Sequence, residues 1–379
     1  MIAYLDNSAT TRPSIEVVEA MEQALREEYF NPSSLYAPAM RAEKAMNACR
    51  NEIRQALHTP SGQVVFTSGG TEANNLAIIG SVSAMHGSQR ILVSQTEHPS
   101  VLGACEALEA MGHTVIRFPV DRQGQPVWET VEGAMRKGVS LLSCMQVNNE
   151  TGAMPDLARL SAMLRSLCPG ALFHVDGVQG FLRVPMQASL ADLYTLSGHK
   201  IHGPKGVGAL WIRSGVRLKP RALGGGQEGG LRSGTENTPG IIGLGAAIRA
   251  MPGNAADVLA ARKALLLGEI RSRIPDVRIN GPLPEDAAPH ILNLTFPGVR
   301  GEVLLHALEE AGVYVSTGSA CSSKKRKLSP VLLAMGVPAN DCEGALRFSL
   351  SPHTSEEEIL YAAEQAGKAY ELLKRFRRK

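Results

Sequence analysis

The sequence predicts an α/β protein, with a large domain built on a mostly parallel sheet covered by helices and a smaller α+β domain after it. Three observations predict this class. Strand-like apolar runs alternate with helical segments through the middle of the chain, the runs are almost continuously apolar, and the alternation stops near residue 252. Strands that alternate with helices of ten or more residues form crossover units, which produce parallel sheets buried on both faces. The length of 379 residues is enough for two domains of ordinary size.

The elements of the large domain follow one another in a regular order. Short apolar runs predict strands at residues 64–67, 90–94, 114–120, 139–147 and 171–176, with a further apolar segment at 191–196. The stretches between the runs predict helices at residues 71–85, 101–111, 127–137 and 157–167. We therefore predict a large domain over residues 13–252.

The last third of the chain has a different pattern, and Pro-Gly-Asn at residues 252–254 marks the change. Helices are predicted at residues 255–273, 302–310 and 356–375, and strands at residues 291–296, 313–316 and 345–350. The N-terminal segment 4–8 is compatible with pairing to either domain. We assign residues 1–12, together with residues 253–379, to the small domain.

The composition excludes several classes of protein. With 44% hydrophobic and 20% charged residues, the chain is not a disordered protein, a collagen-like fibre or a small disulfide scaffold. A net charge of +3 argues against wholesale nucleic-acid binding, and the apolar stretches are too short to span a membrane. The six cysteines include no Cys-x-x-Cys pair, and the N-terminus does not resemble a signal peptide, so we expect free thiols and a cytoplasmic location. No metal site is predicted.

Asp176 and Lys200 are the most informative pair of residues. Asp176 ends a predicted strand and Lys200 follows the apolar segment 191–196, so both are expected in the crevice at the carboxyl ends of the parallel strands. A lysine amine and a carboxylate in one crevice suit pyridoxal phosphate: the amine forms a Schiff base with the aldehyde, and the carboxylate keeps the ring nitrogen protonated. The alternative is an aspartate that caps a loop and an unrelated surface lysine.

Other polar residues also follow strand ends. The turn at residues 67–72 contains Gly70 and Thr71 at a helix start, where free N–H groups can bind an anion, although a plain helix cap would have the same pattern. His98, Asn149 and Gln179 come after three of the predicted strands, and each on its own has a structural explanation. Because several such residues point to one crevice, we predict a single cofactor site.

Cys321 and Arg347 are candidates for a second part of the site. Cys321 lies in the small-residue stretch 316–323, which predicts an exposed loop, and the cations at residues 324–327 would stabilise its thiolate. The other cysteines are expected to be buried small hydrophobes. Arg347 has the chemistry to hold a substrate carboxylate through two hydrogen bonds; the alternative is a surface ion pair.

Nine ordered motifs resemble those of NifS/IscS-type cysteine desulfurases, which are class V aminotransferases and fold-type I pyridoxal-phosphate enzymes. The resemblance runs from about residue 4 to about residue 360. Its motifs are residues 4–11, 31–34, 67–72, 96–98, 147–152, 174–179, 197–200, 232–235 and 319–321.

The resemblance implies a role for each matching residue. It implies a cofactor site with Lys200 as Schiff-base lysine, Asp176 at the pyridine nitrogen, His98 stacked on the ring, Asn149 and Gln179 near the ring hydroxyl, and Gly70, Thr71, Ser197 and His199 around the phosphate. It also implies a homodimer in which Thr235 reaches the phosphate of the second subunit. Substrate binding falls to Arg347, Asn149 and Asn31, and catalysis to Cys321, Lys200 and His98.

The implied reaction converts L-cysteine to L-alanine and leaves the sulfur as a persulfide on Cys321. A sulfur-acceptor protein, in iron–sulfur cluster assembly or tRNA thiolation, would then receive it. Another pyridoxal-phosphate transferase or lyase, such as a selenocysteine lyase, is the alternative that keeps the fold. Basic runs at residues 324–327 and 374–379 are the only support for direct nucleic-acid binding, which is not expected.

Overall fold

The computed structural model describes residues 1–185, 188–317 and 328–375. Strands are numbered along the chain as β1 (Ala3–Tyr4), β2 (Gln63–Thr67), β3 (Arg90–Ser94), β4 (Thr114–Phe118), β5 (Leu141–Met145), β6 (Leu172–Asp176), β7 (Leu193–Ser197), β8 (Gly208–Ile212), β9 (Arg278–Ile279), β10 (Ile291–Thr295), β11 (Val313–Tyr314) and β12 (Ala345–Ser349). Helices are α1 (Ile15–Glu27), α2 (Ala37–Ala56), α3 (Gly70–Ser83), α4 (Pro99–Ala110), α5 (Trp128–Arg136), α6 (Leu157–Leu167), α7 (Thr238–Ala250), α8 (Ala255–Arg273), α9 (Gly301–Glu310), α10 (Pro330–Ala334), α11 (Ala339–Glu343) and α12 (Glu356–Arg375).

A seven-stranded sheet forms the centre of the large domain. Its strand order is β2-β8-β7-β6-β5-β3-β4. Every pair is parallel except the two made by β8, which runs antiparallel to both β2 and β7. The two reversals cancel, so β2 points the same way as β7. All the strands except β8 therefore end at one edge of the sheet, and the predicted mostly parallel sheet is confirmed.

Burial explains why these segments form strands. Every residue of β5, β7 and β8 is buried, as expected for a sheet covered by helices on both faces. Helix α3 lies over β7 and β8 and packs beside α4, and most of its side chains are buried as well. The sequence analysis did not predict β8, α1, α2 or α7; each lies outside the strand–helix alternation on which that analysis relied.

A second hydrophobic core lies in the C-terminal part of the chain. It is formed by α8, α9 and α12 around an antiparallel sheet of order β12-β10-β9. Strand β1 pairs in parallel with β11, and Ala3 and Leu5 are fully buried in this same core. The N-terminal segment is thus packed with the C-terminal elements, while a domain boundary near residue 252 stays a prediction. Across the residues described, no helix is both long and apolar enough to cross a membrane.

Candidate active site

A cavity of about 270 Å³ lies at the sheet edge where the parallel strands end. The loops after β2, β3, β5, β6 and β7 all reach it. Ten predicted site residues line the cavity: Gly70, Thr71, His98, Asn149, Asp176, Gln179, Ser197, His199, Lys200 and Arg347. The crevice expected from the strand ends is therefore present, and it gathers these side chains from widely separated parts of the chain.

One end of the cavity is suited to an anion. Strand β2 leads through Gly69, whose φ of 152° disfavours other residues, into the N-terminus of α3. A side chain at Gly70 would bring its Cβ within 2.7 Å of Val178, so only glycine leaves the helix start open. The Ser197 hydroxyl is buried there without a hydrogen-bond partner. Free helix N–H groups and an unpartnered hydroxyl are donors of the kind that hold a phosphate.

His199 lies beside this anion site. Its Nδ1 is 3.1 Å from the Thr10 hydroxyl. Burial, together with the nearby cations of Lys200 and Lys205, lowers the pKa of His199 to about 4. A neutral imidazole at neutral pH is suited to hydrogen bonding rather than to charge pairing.

Asp176 lies at the end of β6, where it is almost completely buried. Its Oδ1 accepts a 3.0 Å hydrogen bond from the Val178 amide, and its Oδ2 accepts a 2.8 Å bond from the Asn74 side chain. Two donors stabilise negative charge on this carboxylate. A buried acid that faces a cavity in this way is suited to a ring nitrogen that carries a proton.

Lys200 follows β7 in a short 3₁₀ turn and lines the same cavity as Asp176. Its Nζ donates hydrogen bonds of 2.5 Å to the Ser8 carbonyl and 2.8 Å to the Ala9 carbonyl. The N-terminal segment therefore forms one wall of the site. The sequence analysis did not predict that Ser8 and Ala9 line the cavity.

His98 is the N-cap residue of α4 and lines the same cavity as Asp176 and Lys200. Burial lowers its pKa; the Asp176 carboxylate opposes this change and the Lys200 cation adds to it. The lowered pKa favours a neutral ring at neutral pH. A neutral, flat imidazole is able to lie against an aromatic ring without the cost of burying a charge.

Gln179 is positioned by residues on both sides. Its Nε2 donates a 2.9 Å hydrogen bond to the Ser8 carbonyl, and its Oε1 accepts a 2.9 Å bond from Arg183. Arg183 is completely buried, and this burial lowers its pKa to about 9. The sequence analysis missed Arg183, and a cation in an otherwise apolar loop after the Asp176 strand was the signal that could have found it.

Arg347, on β12, crosses from the C-terminal core into the cavity. One guanidinium nitrogen donates a 2.9 Å hydrogen bond to the Asn149 carbonyl and another lies 2.6 Å from an Asp6 carboxylate oxygen. The alternative explanation of this arginine was an ion pair at the surface. Arg347 does form an ion pair, but its side chain is only 5% exposed, so the pair is buried. The Nε atom is buried without a partner. The guanidinium therefore has one buried donor left for a further acceptor.

Two predicted site residues, Asn31 and Thr235, do not line this cavity, and a third lies outside the described residues. Asn31 is exposed, and its side chain accepts a 3.0 Å hydrogen bond from the Ser33 amide. Thr235 is exposed and lies beyond the glycine-rich loop 224–230. Cys321 lies outside the described residues, as do the cations at residues 324–327. Among the residues that are described, no cluster of three metal-ligating side chains occurs.

Comparisons with known proteins point in one direction. The family model described as aminotransferase class-V matches residues 3–361. The chain is 42% identical to a cysteine desulfurase of Cereibacter sphaeroides, over 94% of this chain and 92% of that protein. It is 38% identical to the cysteine desulfurase IscS of Dictyoglomus turgidum, over 98% and 95% of the two chains. A solved NifS-like protein superposes with a TM-score of 0.90 at 32% identity, covering 98% of this chain and all of that one.

Proposed function

Because the chain belongs to the class-V aminotransferase family, we propose that it acts as a cysteine desulfurase, which takes sulfur from L-cysteine and releases L-alanine. The enzyme uses pyridoxal 5′-phosphate. The observation that carries the proposal is the meeting of Lys200, Asp176, His98 and Arg347 in one cavity. When bound, the cofactor supplies an aldehyde that joins to amines and a ring that withdraws electrons from the substrate carbon.

The residues around the cavity fit this cofactor. The open start of α3 at Gly70 and Thr71 would hold the phosphate, with the Ser197 hydroxyl and His199 completing the set of donors. The unpartnered buried hydroxyl of Ser197 supports this assignment, since burying such a group alone costs free energy. Asp176 would pair with the ring nitrogen, and Gln179 and Asn149 would bind polar substituents of the ring.

Lys200 and Arg347 would act on the substrate itself. The Lys200 amine would remove the proton from the substrate α-carbon and hold it at Nζ. Arg347 would bind the substrate carboxylate by exchanging the Asp6 carboxylate for it, because an arginine fork binds either acid in the same way. His98 would lie against the ring and help to hold it in place.

Cys321 would receive the sulfur. Its thiolate would attack the substrate sulfur, so that an S–S bond forms as the Cβ–S bond breaks, and the carbon fragment takes up protons and leaves as L-alanine. Support comes from the residues on either side of the segment 318–327. Ser316 lines the cavity and pairs with Arg347, and Ser329 is bonded to Glu150 in the loop after β5. The described residues before and after this segment therefore lie close to the site.

The test is chemical and spectroscopic. The purified protein with pyridoxal phosphate should show the yellow cofactor band, and L-cysteine with a reductant should yield alanine and sulfide in equal amounts. The Cys321→Ala variant should keep the band and bind L-cysteine but lose turnover, whereas Cys168→Ala, at a buried cysteine, should be active. Full sulfide production by Cys321→Ala would refute the role of this cysteine, and a keto acid as product would favour a different transferase.

The protein would act as a homodimer in the cytoplasm. Segment 32–35 and loop residues 228–229 line an open groove of about 600 Å³, and Leu35 is 96% exposed beside it. The groove is lined mostly by polar residues, but exposed apolar side chains such as Leu35 and Met40 suit a subunit interface. Exposure of Thr235 supports its donation to the partner's phosphate site.

The five described cysteines are all free and buried, which supports a reducing compartment. A sulfur-acceptor protein of cluster assembly or tRNA thiolation would take the product sulfur.

A further inference from the structure

Two side chains with no predicted role, Asn74 and Ser100, connect Asp176 to His98. The Asn74 amide nitrogen is 2.8 Å from Asp176 Oδ2 and 2.9 Å from the Ser100 hydroxyl. The Ser100 hydroxyl is in turn 2.8 Å from Nδ1 of His98. Asn74 lies one turn into α3 and Ser100 one residue into α4, so packing between these two helices creates the connection.

The number of hydrogens on each group shows which atom donates and which accepts in these bonds. The Asn74 amide has two hydrogens, and both of its partners are oxygens able to accept them. The opposite orientation of the amide would set its oxygen against the Asp176 carboxylate, which has no hydrogen to share. The Asn74 nitrogen therefore donates to both Asp176 and Ser100.

The Ser100 hydroxyl in turn donates a hydrogen bond to His98. Its hydroxyl oxygen accepts from Asn74, and its single hydrogen points to the other neighbour, Nδ1 of the imidazole. The Ser100 backbone N–H also donates to this atom, at 3.1 Å. A ring nitrogen that accepts from two donors carries no proton. The neutral ring therefore has its hydrogen on Nε2.

We propose that Asn74 and Ser100 are positioning residues that hold His98 as the neutral Nε2–H tautomer. The consequence for the reaction rests on the proposed function: His98 would donate a hydrogen bond through Nε2 toward cofactor or substrate, and would not act as a base there. The ring is thus assigned one of the two roles, donor or acceptor, that its residue type allows.

Burial and the Lys200 cation also favour the neutral form of His98, and the Asp176 carboxylate opposes them. Burial lowers its pKa, and the facing charged groups are the Asp176 carboxylate, which raises it, and the Lys200 cation, which lowers it. Glu97 is buried next to His98 along the chain and has a raised pKa because of burial and of Asp176. Donors aimed at Nδ1 stabilise the neutral ring further, since a bond to the neutral form disfavours protonation.

A purely structural explanation accounts for only part of this geometry. His98 caps α4 by accepting the Ser100 backbone N–H, and a cap needs nothing more. The cap leaves unexplained why the Ser100 hydroxyl points at the same nitrogen and why Asn74 joins it to Asp176. A test must therefore separate loss of the cap from loss of the hydroxyl.

The experiment measures the tautomer directly in the cofactor-free protein. Nitrogen NMR of ¹⁵N-histidine-labelled protein distinguishes Nε2–H from Nδ1–H rings, and comparison with His98→Gln identifies the signals of His98. We expect the Nε2–H pattern at pH 7. In Ser100→Ala, which keeps the backbone cap, the pKa of His98 should rise by about one pH unit, as expected for the loss of one hydrogen bond to the neutral ring. Asn74→Ala keeps the Ser100 hydroxyl but no longer orients it, so the pKa of His98 should rise by less.

Matched variants keep the result interpretable. Ser100→Thr keeps the hydroxyl and should restore the wild-type spectrum, and Ser81→Ala removes a buried α3 hydroxyl that bonds only to its own helix, with no effect on His98. An Nδ1–H or doubly protonated ring in the wild type, or a Ser100→Ala spectrum identical to wild type, would overturn the proposal. Failure of the proposed function would be seen separately, as absence of alanine formation by the loaded wild-type enzyme.

Discussion

Glu150 accepts a 2.5 Å hydrogen bond from the hydroxyl of Ser329, and both residues are buried. The contact joins the loop after β5, next to Asn149, to the residue that caps α10 just after the segment 318–327. Glu150 is also held by its backbone, since its carbonyl accepts a 3.0 Å bond from Asn293. Through the Glu150 carboxyl group, Ser329 is therefore joined to the loop that contributes Asn149 to the cavity.

This carboxyl group should make stability depend on pH. Burial raises the pKa of Glu150 to about 7 from the usual 4.5, opposed by the Ser329 hydrogen bond and by the Arg347 cation; the Cys342 thiol also faces it. The folded state thus binds the proton more tightly than the unfolded state. Its contribution to stability is complete below pH 4.5 and is lost as the pH rises toward 7 and above.

Glu150→Gln should remove that loss while keeping an acceptor for Ser329. Relative to wild type, the free energy of unfolding of the variant should improve by about 2.5 kcal/mol between pH 5 and pH 8, which is most of the equivalent of the change in pKa. Urea unfolding of the cofactor-free protein at both pH values measures this. The exposed Glu129→Gln is the control, and parallel pH curves for Glu150→Gln and wild type would contradict the prediction.

Arg347→Lys should weaken substrate binding. A lysine keeps the charge and can pair with Asp6, but it cannot form two parallel bonds to one carboxylate. We expect KM for L-cysteine to rise about tenfold to a hundredfold, in line with the loss of a charge-assisted hydrogen bond. The exposed Arg278→Lys, which pairs with Asp341, is the control.

The methyl ester of L-cysteine makes this test specific. The ester has no carboxylate, so wild type and Arg347→Lys should have similar KM values for it. An equal loss with both substrates would mean that Arg347 supports the fold around Asn149 and does not bind the substrate.

Arg50→Met should destabilise the protein by about 3 kcal/mol. Arg50 makes two hydrogen bonds, at 2.7 and 2.8 Å, to the carboxylate of Glu228, which is 2% exposed and also accepts from the Phe66 amide. Removing the cation leaves a buried charge without its partner. Urea unfolding measures the loss, and adding Glu228→Gln should recover part of it. A double variant less stable than Arg50→Met would show that the charge pair is not the cause.

Mixed dimers would test the subunit from which Thr235 acts. Thr235→Ala should raise the Kd for pyridoxal phosphate by about tenfold, the usual effect of one lost hydrogen bond to a charged group. If Thr235 serves the partner's site, a dimer of one Thr235→Ala subunit and one inactive Lys200→Ala subunit should have one intact site. That site would combine Lys200 of the first subunit with Thr235 of the second. Refolding the two variants together should then restore activity at low cofactor concentration. No gain over the separate variants would contradict a shared site.

Much of the fold was predictable because the strands that carry it are buried on both faces. β3, β5 and β6 are short apolar runs, and such runs must lie inside a covered sheet whatever their neighbours are. The direction of β8 was not predictable, because an apolar run looks the same whether it lies parallel or antiparallel to its neighbours. Helices α1 and α2 were not predicted, because they precede the region in which strands and helices alternate.

Some residues of the site were likewise predictable from the sequence, and others were not. Asp176 and Lys200 were predictable since a polar residue directly after a buried strand must lie at the sheet edge. Asn74 and Ser100 lie within the first turns of helices, where their residue types are ordinary. Only the packing of α3 against α4 brings them together.

By itself, the sequence determined the layered architecture and the edge at which the chemistry collects, because burial and strand ends depend on local patterns of residues. The family followed separately, from the resemblance of the ordered motifs. The tertiary structure alone decided which groups touch: Asp6 with Arg347, Glu150 with Ser329, and Asn74 with Asp176. These contacts join residues far apart along the chain, and a hydrogen bond depends on distances of tenths of an ångström that no spacing in the sequence records.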